Sequence, residues 1–478
     1  MLRNFFFSTL LLSAFTSFSQ DVVNSTSIEL KRNRDIFQAV NDAKKEVTLF
    51  ISDKIKVKAV RLDEKMQIID SISSERPNTK IYDKMAGYNI SHNNTQLFWS
   101  SNDYEDIFSQ LYDFSNRKVV TKQYTLMLKN EKVLEKFSGN NDFYILTVIK
   151  NSNNLRLHIF DNAGTYTTKI IDLKGFHFFD SYYKRTDLYG VLGENLLPYE
   201  APFSLKSINV ENPTSLTDGA KKRKCYFNNK QIVLTFDANI EYTQLIIIDL
   251  ENFSATEKMI KKPYITGDPM FLKSNSFYFD NKLYQIKTSS DLLYFTIKDL
   301  EDNIIKEYFA NAAKPIDFKN SEIYQEGGDF GGKRTLEKTS QFIRKVNNLN
   351  SGLSCYHIGQ NTLITFGGVS AAQQSTGQIA MSQFGLIGAI VSAAFLNPTM
   401  ESFNSYSNKK VVKIEGLFDS EGNNIKGDLQ PLAFDKIRTF FDNNSDVSSQ
   451  TLFKMGDYYY LGYYDNNNKK YIIRKFAD

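Results

Sequence analysis

Alternating apolar and polar positions dominate this chain. The stretch Asp142–Leu173 contains three short runs, Phe143–Ile149, Leu155–Phe160 and Tyr166–Ile171, which are rich in β-branched and aromatic residues. The turns between them read Asn-Ser-Asn-Asn and Asp-Asn-Ala-Gly, residues that tolerate positive φ and close hairpins. This pattern predicts three antiparallel strands joined by tight turns.

Similar units recur along the chain. One residue in the leading hairpin strand of each unit serves as a landmark, and the landmarks are Leu49, Leu97, Phe143, Leu188, Ile232, Leu283, Leu363 and Tyr459. A repeat of about 45 residues with three or four strands is typical of a β-propeller. We therefore predict an all-β fold, a propeller of seven or eight blades in which Ser27–Lys31 completes the last blade. A β-sandwich, which also spaces its strands regularly, is the alternative.

Two segments in the C-terminal half depart from the strand pattern. Thr335–Val346 places Leu336, Phe342, Ile343 and Val346 at helical spacing, and Ile379–Leu396 is a continuous run without charge. We predict a single propeller domain over 20–478 with helical insertions near 327–350 and 368–408.

The window Val346–Met400 has no Asp, Glu, Lys or Arg between its ends. A membrane crossing there would place the last blades on the opposite side from the others, so we predict no transmembrane span in the mature chain. Gly385, Ala389 and Ala393 form a stripe of small residues that permits close packing. Two alternatives remain open: a helix packed on its own chain, or residues 378–398 docking to a protein partner or a membrane surface.

The N-terminus indicates export. Residues 1–19 have a short basic start, an apolar run and small residues at a cleavage position, as in a secretory signal peptide. The apolar run Phe5–Phe15 is too short to cross a bilayer. We expect a periplasmic, outer-membrane-associated or extracellular protein of a bacterial envelope. In an oxidising compartment Cys225 and Cys355 can form a disulfide, although two free thiols are equally compatible with the sequence.

Composition narrows the function classes only slightly. The net charge of +4 is small and spread along 478 residues, so we expect no nucleic-acid partner. The basic run Lys221–Lys224 indicates a solvated connection between units, or a contact with an anionic envelope polymer. The four histidines have no metal-ligand spacing, and we predict no metal and no cofactor.

One glycine-rich segment resembles the start of a phosphate-binding loop. Gly327 is followed after four residues by Gly332 and Lys333, but Arg334 stands where the hydroxyl ligand of magnesium is required. We exclude a nucleotide-binding loop for that reason. An anion site formed by Gly331, Gly332, Lys333 and Arg334 at the start of a helix is the remaining hypothesis. A plain connection into an insertion is its alternative.

Trp99, the one tryptophan, is a candidate for stacking on a ligand such as a sugar; its alternative is a core position. No acyl-transfer serine motif is present, and catalytic residues stay unassigned. We predict an exported binding or scaffold protein without catalytic activity. The alternative is a secreted hydrolase acting on glycans or peptides at one propeller face. Three or more carboxylates or histidines converging in the central funnel would favour the hydrolase.

Overall fold

The computed structural model describes residues 21–26, 35–91, 94–139, 141–196, 200–267, 271–327, 332–370, 397–407, 411–444 and 447–478. Within these residues the chain forms seven sheets of four or five strands, which are the blades of a propeller. The all-β prediction is confirmed, and seven is the number of blades.

Blades 1 to 3 are four-stranded antiparallel meanders whose first strand lies nearest the axis. Strand β1 (Asp21–Thr26) precedes them in the chain and belongs to blade 7. Blade 1 contains β2 (Asp35–Asn41), β3 (Glu46–Ser52), β4 (Lys56–Leu62) and β5 (Ile68–Glu75). Blade 2 contains β6 (Lys84–Ser91), β7 (Asn94–Ser100), β8 (Asp106–Asp113) and β9 (Lys118–Thr125). Blade 3 contains β10 (Glu131–Ser138), β11 (Asp142–Ile149), β12 (Asn154–Asp161) and β13 (Tyr166–Asp172).

Blade 4 gains a fifth strand on the axis. It contains β14 (Lys206–Ile208), β15 (Arg223–Phe227), β16 (Gln231–Phe236), β17 (Tyr242–Asp249) and β18 (Ala255–Lys261). Strand β14 pairs in parallel with β15, so that Ser207 lies beside Cys225. Blade 5 is again a four-stranded meander of β19 (Lys273–Phe279), β20 (Lys282–Thr288), β21 (Leu292–Lys298) and β22 (Ile304–Asn311).

Blade 6 is assembled out of chain order. A hairpin of β23 (Ile323–Glu326) and β24 (Lys333–Leu336) comes first in the chain but forms the outer edge of the sheet. The inner strands are β25 (Asn350–Ile358), β26 (Asn361–Val369) and β27 (Val411–Phe418). Strand β23 pairs with β27, with Tyr324 beside Lys413.

Blade 7 closes the ring by joining the two ends of the chain. It contains β28 (Val447–Met455), β29 (Tyr458–Asp465) and β30 (Lys470–Ala477), and β1 pairs antiparallel with β30. Ring closure by an N-terminal strand is as predicted, but the strand is Asp21–Thr26. The predicted segment Ser27–Lys31 lies outside the described residues.

The hairpin period was a sound guide to the blades. Seven of the eight landmarks lie in blade strands: six in the second strand from the axis, as in β3, β7 and β11, and Ile232 in β16, the third strand of blade 4. The landmark Leu188 is wrong, because it begins the helix α1 (Leu188–Gly193) instead of a strand. Its buried apolar residues imitate a short strand in the sequence. At the turns, Asn151 and Gly164 have positive φ, as their residue types predict.

The described residues include four further helices between the strands: α2 (Leu216–Gly219), α3 (Thr339–Asn348), α4 (Pro398–Ser407) and α5 (Ala433–Asn443). The helix predicted at Thr335–Val346 begins later, because Thr335 and Leu336 belong to β24. Its apolar face is buried as expected, with Phe342, Ile343 and Val346 at 0% exposure. None of the helices in the described part of the chain is long and apolar enough to span a membrane.

Aromatic side chains hold neighbouring blades together. The rings of Phe98 in blade 2 and Phe143 in blade 3 stack with their centres 4.7 Å apart. Phe295 of blade 5 meets Phe366 of blade 6 edge to face at 4.6 Å. Such pairs combine a large buried area with a defined geometry, so they fix blade-to-blade packing.

Candidate functional site

Two inserted segments occupy the axis of the ring. The first, residues 206–220, contains β14 and α2; the second is α4. They contact each other, since Ser215 Oγ lies 2.7 Å from Ser405 Oγ and Lys206 Nζ lies 2.6 Å from Glu401 Oε1. We refer to these two segments as the axial plug.

A large open cavity remains between the axial plug and the blades. It has a volume of about 1070 Å³ and lies where the first and second strands of blades 1, 4 and 7 are joined. Residues of blades 1, 2, 3, 4 and 7 line it together with 207–212, Pro398 and Thr399. We call this cavity the funnel. Its volume lies at the upper end of the range for small-molecule pockets.

Three aromatic side chains with partly exposed surfaces face the funnel from different blades: Tyr88 of blade 2, Phe227 of blade 4 and Tyr458 of blade 7. Phe227 is held by a stack on Phe137, with ring centres 4.7 Å apart and planes 16° from parallel. Burial raises the pKa of Tyr88 to about 12, so its hydroxyl is neutral and able to donate at neutral pH.

The charged groups around the funnel are mixed in sign. Its described lining includes five lysines and four carboxylates, which are Lys45, Lys65, Lys136, Lys454, Lys475, Asp42, Glu64, Glu211 and Asp457. Lys454 donates to the carbonyl oxygen of Glu211 at 2.8 Å, and the Nζ of Lys475 lies 3.3 Å from the centre of the Tyr458 ring. Groups of the protein therefore already hold these two ammonium groups.

One carboxyl group in the funnel has an altered acidity. Burial raises the pKa of Asp42, and the negative charge of Glu211 raises it further, whereas a backbone N–H of Gly456 and the charge of Lys454 lower it. Asp42 and Glu211 are thus an interacting pair from blade 1 and the axial plug. A carboxyl group with a raised pKa is one of the groups that general acid catalysis requires.

The floor of the funnel carries amide side chains. The Oε1 of Gln38 accepts a hydrogen bond from Nδ2 of Asn397 at 2.8 Å and another from Thr451. Asn212 is 0% exposed, and its Nδ2 lies 3.4 Å from Oγ1 of Thr399. Its Oδ1 has no hydrogen-bond partner among the described residues. A buried acceptor without a partner costs about 1–3 kcal/mol, so a hydrogen-bond donor placed at this atom would stabilise the floor.

An ionic cluster joins the axial plug to blade 3. Lys206 lies between the carboxylates of Glu401 and Asp218, at 2.6 and 3.5 Å. Burial lowers the pKa of Lys206, but the two carboxylates outweigh this effect and hold that pKa above its usual range. Burial raises the pKa of Glu135, a neighbouring carboxyl group of blade 3. These charges fix the plug against the inner strands and so shape the funnel.

The basic run at Lys221–Lys224 is not the solvated connection that the sequence indicated. Lys224 is fully buried, with Nζ 2.9 Å from Oδ2 of Asp237, and Arg223 is paired with Glu200 at 3.2 Å. Lys262 lies 3.2 Å from the other oxygen of Asp237. Burial lowers the pKa of Lys222 to about 7 and that of Lys262 to about 8. The run is therefore part of the interface between blades 4 and 5.

The predicted anion site falls on the outer hairpin of blade 6. Gly331 lies outside the described residues, and Gly332 leads into β24 instead of a helix. The Nζ of Lys333 lies 3.7 Å from the centre of the Tyr324 ring, and Arg334 donates to Oε1 of Gln325 at 2.8 Å. Both cationic side chains therefore contact residues of the neighbouring strand β23. Anion binding at this hairpin stays a prediction.

Trp99 is in the core and not on a ligand-binding surface. It is 0% exposed, its Nε1 donates to Oε1 of Gln110 at 2.9 Å, and the guanidinium of Arg76 covers one face of the ring at 4.2 Å. The two cysteines are free and buried in different blades, Cys225 in β15 and Cys355 in β25. The predicted disulfide is absent because each thiol packs in its own apolar cluster.

The docking candidates Gly385, Ala389 and Ala393 lie outside the described residues, as does most of 378–398. The described end of that stretch, Asn397 and Pro398, is at the funnel. His158 is a satisfied sheet residue between Glu131 and Tyr166, at 2.9 and 2.8 Å. In the described ranges no three His, Cys, Asp or Glu side chains form a group suited to a metal ion.

Comparisons with known proteins give a remote likeness in fold. No protein-family model matches the sequence, and no curated protein matches it. Among solved structures, the WD40 domain of SCAP from fission yeast has a TM-score of 0.29 at 10% identity, covering 96% of this chain and 97% of that one.

Two enzymes also appear among the similar structures. A prolyl endopeptidase has a TM-score of 0.34 at 8% identity, covering 94% of this chain and 51% of its own. A Synechocystis apocarotenoid oxygenase has a TM-score of 0.27 at 8% identity, covering 59% of this chain and 65% of its own. This chain therefore spans about half to two thirds of the length of these enzymes. Their similarity is too low to transfer an activity.

Proposed function

We propose that this protein is an exported binding protein that holds its ligand in the funnel without converting it. The observation that carries the proposal is the funnel itself, in which aromatic faces from three blades surround a floor of amide side chains. A concave site that combines aromatic surface with a few polar groups is the usual form of a binding site. Export rests on the signal peptide predicted at 1–19 and places the ligand in a bacterial envelope or outside the cell.

The test is retention of envelope components by immobilised protein. Wild type is compared with Tyr458→Ala, which removes an aromatic face of the funnel, and with Tyr264→Ala, a tyrosine 78% exposed and not among the funnel residues. We expect the same component to be retained by wild type and by Tyr264→Ala, and to be depleted about tenfold with Tyr458→Ala. Equal retention by all three proteins would contradict the proposal.

Hydrolysis is the second candidate function, because four carboxylates line the funnel, and carboxylates converging there are what a hydrolase is expected to have. Asp42 and Glu211 are the two of them that interact. A carboxyl group whose pKa is raised, as that of Asp42 is, can act as a general acid. If the funnel is catalytic, incubation with oligosaccharides or peptides releases new ends, and Asp42→Asn and Glu211→Gln each abolish the release. Binding without release in wild type supports the first proposal over this one.

A further inference from the structure

We infer that the ligand of the funnel is an uncharged oligosaccharide. This inference rests on the proposed binding function and adds the chemical class of the ligand. Three features of the funnel point to it: an unsatisfied amide at the floor, separate aromatic faces around the wall, and a charge balance that leaves no strong demand for an ion.

The floor holds a buried hydrogen-bond acceptor that no donor of the described residues satisfies. Asn212 is wholly buried, lines the funnel, and has an Oδ1 without a partner in the described part of the chain. Gln38, which also lines the funnel, accepts two hydrogen bonds at its Oε1, and an amide oxygen cannot donate to another one. A sugar hydroxyl both donates and accepts, so it matches an amide side chain with either orientation of that amide.

The walls suit the flat apolar faces of sugar rings. Tyr88, Phe227 and Tyr458 belong to blades 2, 4 and 7, so they surround the opening instead of forming one continuous apolar patch. The C–H groups on one face of a pyranose are attracted to the negative face of an aromatic ring. Several separated aromatic faces favour a chain of rings over a single flat molecule.

The charges argue against an ionic ligand. Five lysines and four carboxylates line the described funnel, which leaves a net charge of only about +1. Lys454 and Lys475 already engage the Glu211 carbonyl and the Tyr458 ring, and Lys45 lies 3.8 Å from Glu64. An anion would have to displace these contacts, whereas a neutral ligand leaves them in place.

A peptide that adds a strand to an inner blade edge is the main competitor. The inner edges of blades 2, 3, 4 and 7 are unsuited to it, whereas β2 of blade 1 has an unbroken register. The inner strands β6, β10 and β28 each contain a register shift, at Met85/Gly87, Val133/Glu135 and Ser448/Thr451. Such bulges interrupt the regular row of backbone groups that an added strand needs. In blade 4 the inner edge is already covered by β14.

The experiment uses the full mature chain, fluorescently labelled, on two arrays: one of neutral and acidic oligosaccharides, and one of peptides. Wild type is measured beside Tyr458→Ala, Asn212→Leu and the control Tyr264→Ala. Circular dichroism and thermal unfolding establish that each variant is folded. Tyr458 is 38% exposed, so its replacement tests the site even if the buried Asn212→Leu variant does not fold.

We expect neutral oligosaccharides to bind wild type and Tyr264→Ala equally, and to bind Tyr458→Ala about tenfold more weakly, a change of about 1.4 kcal/mol. If only acidic glycans or peptides bind, and their binding also depends on Tyr458, the funnel is still the binding site but its ligand is not a neutral oligosaccharide. Absence of any signal that depends on Tyr458 overturns the oligosaccharide inference. If retention of envelope components is also independent of Tyr458, the proposed binding function fails with it.

Discussion

The Nζ of Lys224 lies 2.9 Å from Oδ2 of Asp237, and both side chains are fully buried between blades 4 and 5. Lys262 binds the other oxygen of the same carboxylate, whereas the amine of Lys222 donates to the carbonyl oxygen of Ser274. Three lysine side chains therefore surround Asp237. Two of them, Lys224 and Lys262, contact its carboxylate, and Lys222 does not.

The contributions of two of these lysines to stability should have opposite signs. We expect Lys224→Met to lower the free energy of unfolding by about 3 kcal/mol or more, because it breaks a buried pair. Lys222→Met removes only repulsion and one hydrogen bond, so we expect a gain of about 1 kcal/mol at pH 7. Chemical denaturation of the three proteins measures both. Equal losses from both substitutions would contradict this account of the cluster.

The same lysine should make stability depend on pH. The pKa of Lys222 is about 7 in the folded protein and about 10.4 in the unfolded chain, so between these values the unfolded chain holds the extra proton. The free energy of unfolding therefore rises, through Lys222, as the pH rises from about 7 towards 10, by at most about 1.4 kcal/mol per pH unit. The gain from Lys222→Met should accordingly shrink between pH 7 and pH 9. A gain independent of pH would show that the pKa of Lys222 is not depressed.

Close backbone approach should make Gly219 irreplaceable in the axial plug. A Cβ at this position would lie 2.3 Å from the carbonyl oxygen of Leu353 in β25, a backbone atom that cannot rotate away. We expect Gly219→Ala to cost about 1–3 kcal/mol of stability. Ligand retention should also weaken, because α2 follows closely in the chain after residues 207–212, which line the funnel. Thr217→Ala, in the same helix, is the control. Wild-type stability for Gly219→Ala would mean that the plug is packed less tightly than the structure indicates.

Ring closure by β1 should contribute substantially to stability. Deleting Asp21–Thr26 would leave the edge of β30 without its partner. We expect a loss of about 3 kcal/mol, since several ladder hydrogen bonds are broken at about 1 kcal/mol each. The exposed edge should also favour association between molecules. Thermal unfolding and light scattering test both effects, and an unchanged, monodisperse variant would contradict the closure.

The blades could be predicted from the sequence because each is a local meander with its own turns. Asn151 and Gly164 mark hairpins by residue type alone, and seven of the eight landmarks fell in blade strands. Leu188 failed since a short buried helix and a short buried strand are both brief apolar runs. Blade 6 could not be foreseen, because its outer hairpin precedes its inner strands.

The funnel could not be predicted, for a different reason. Asp42, Asn212 and Tyr458 are far apart in sequence and meet only when the ring closes around the plug. The buried lysines of the run Lys221–Lys224 were misassigned because charge usually indicates solvent, and their partner Asp237 lies on the next hairpin. The run overlaps the first two residues of β15, Arg223 and Lys224, and nothing in the residue pattern indicated their burial.

The most direct test of the central claim is to block the funnel. Asn228→Cys places a thiol at the exposed rim of the funnel, and Met127→Cys places one at a position 89% exposed and not among the funnel residues. The native cysteines should not react, because burial raises the pKa of Cys225 and of Cys355 well above the usual range. Each variant is labelled with a bulky maleimide, and binding to the neutral oligosaccharide array is measured before and after. We predict that labelling abolishes binding by Asn228→Cys and leaves Met127→Cys unaffected; undiminished binding by labelled Asn228→Cys would contradict the assignment of the funnel as the binding site.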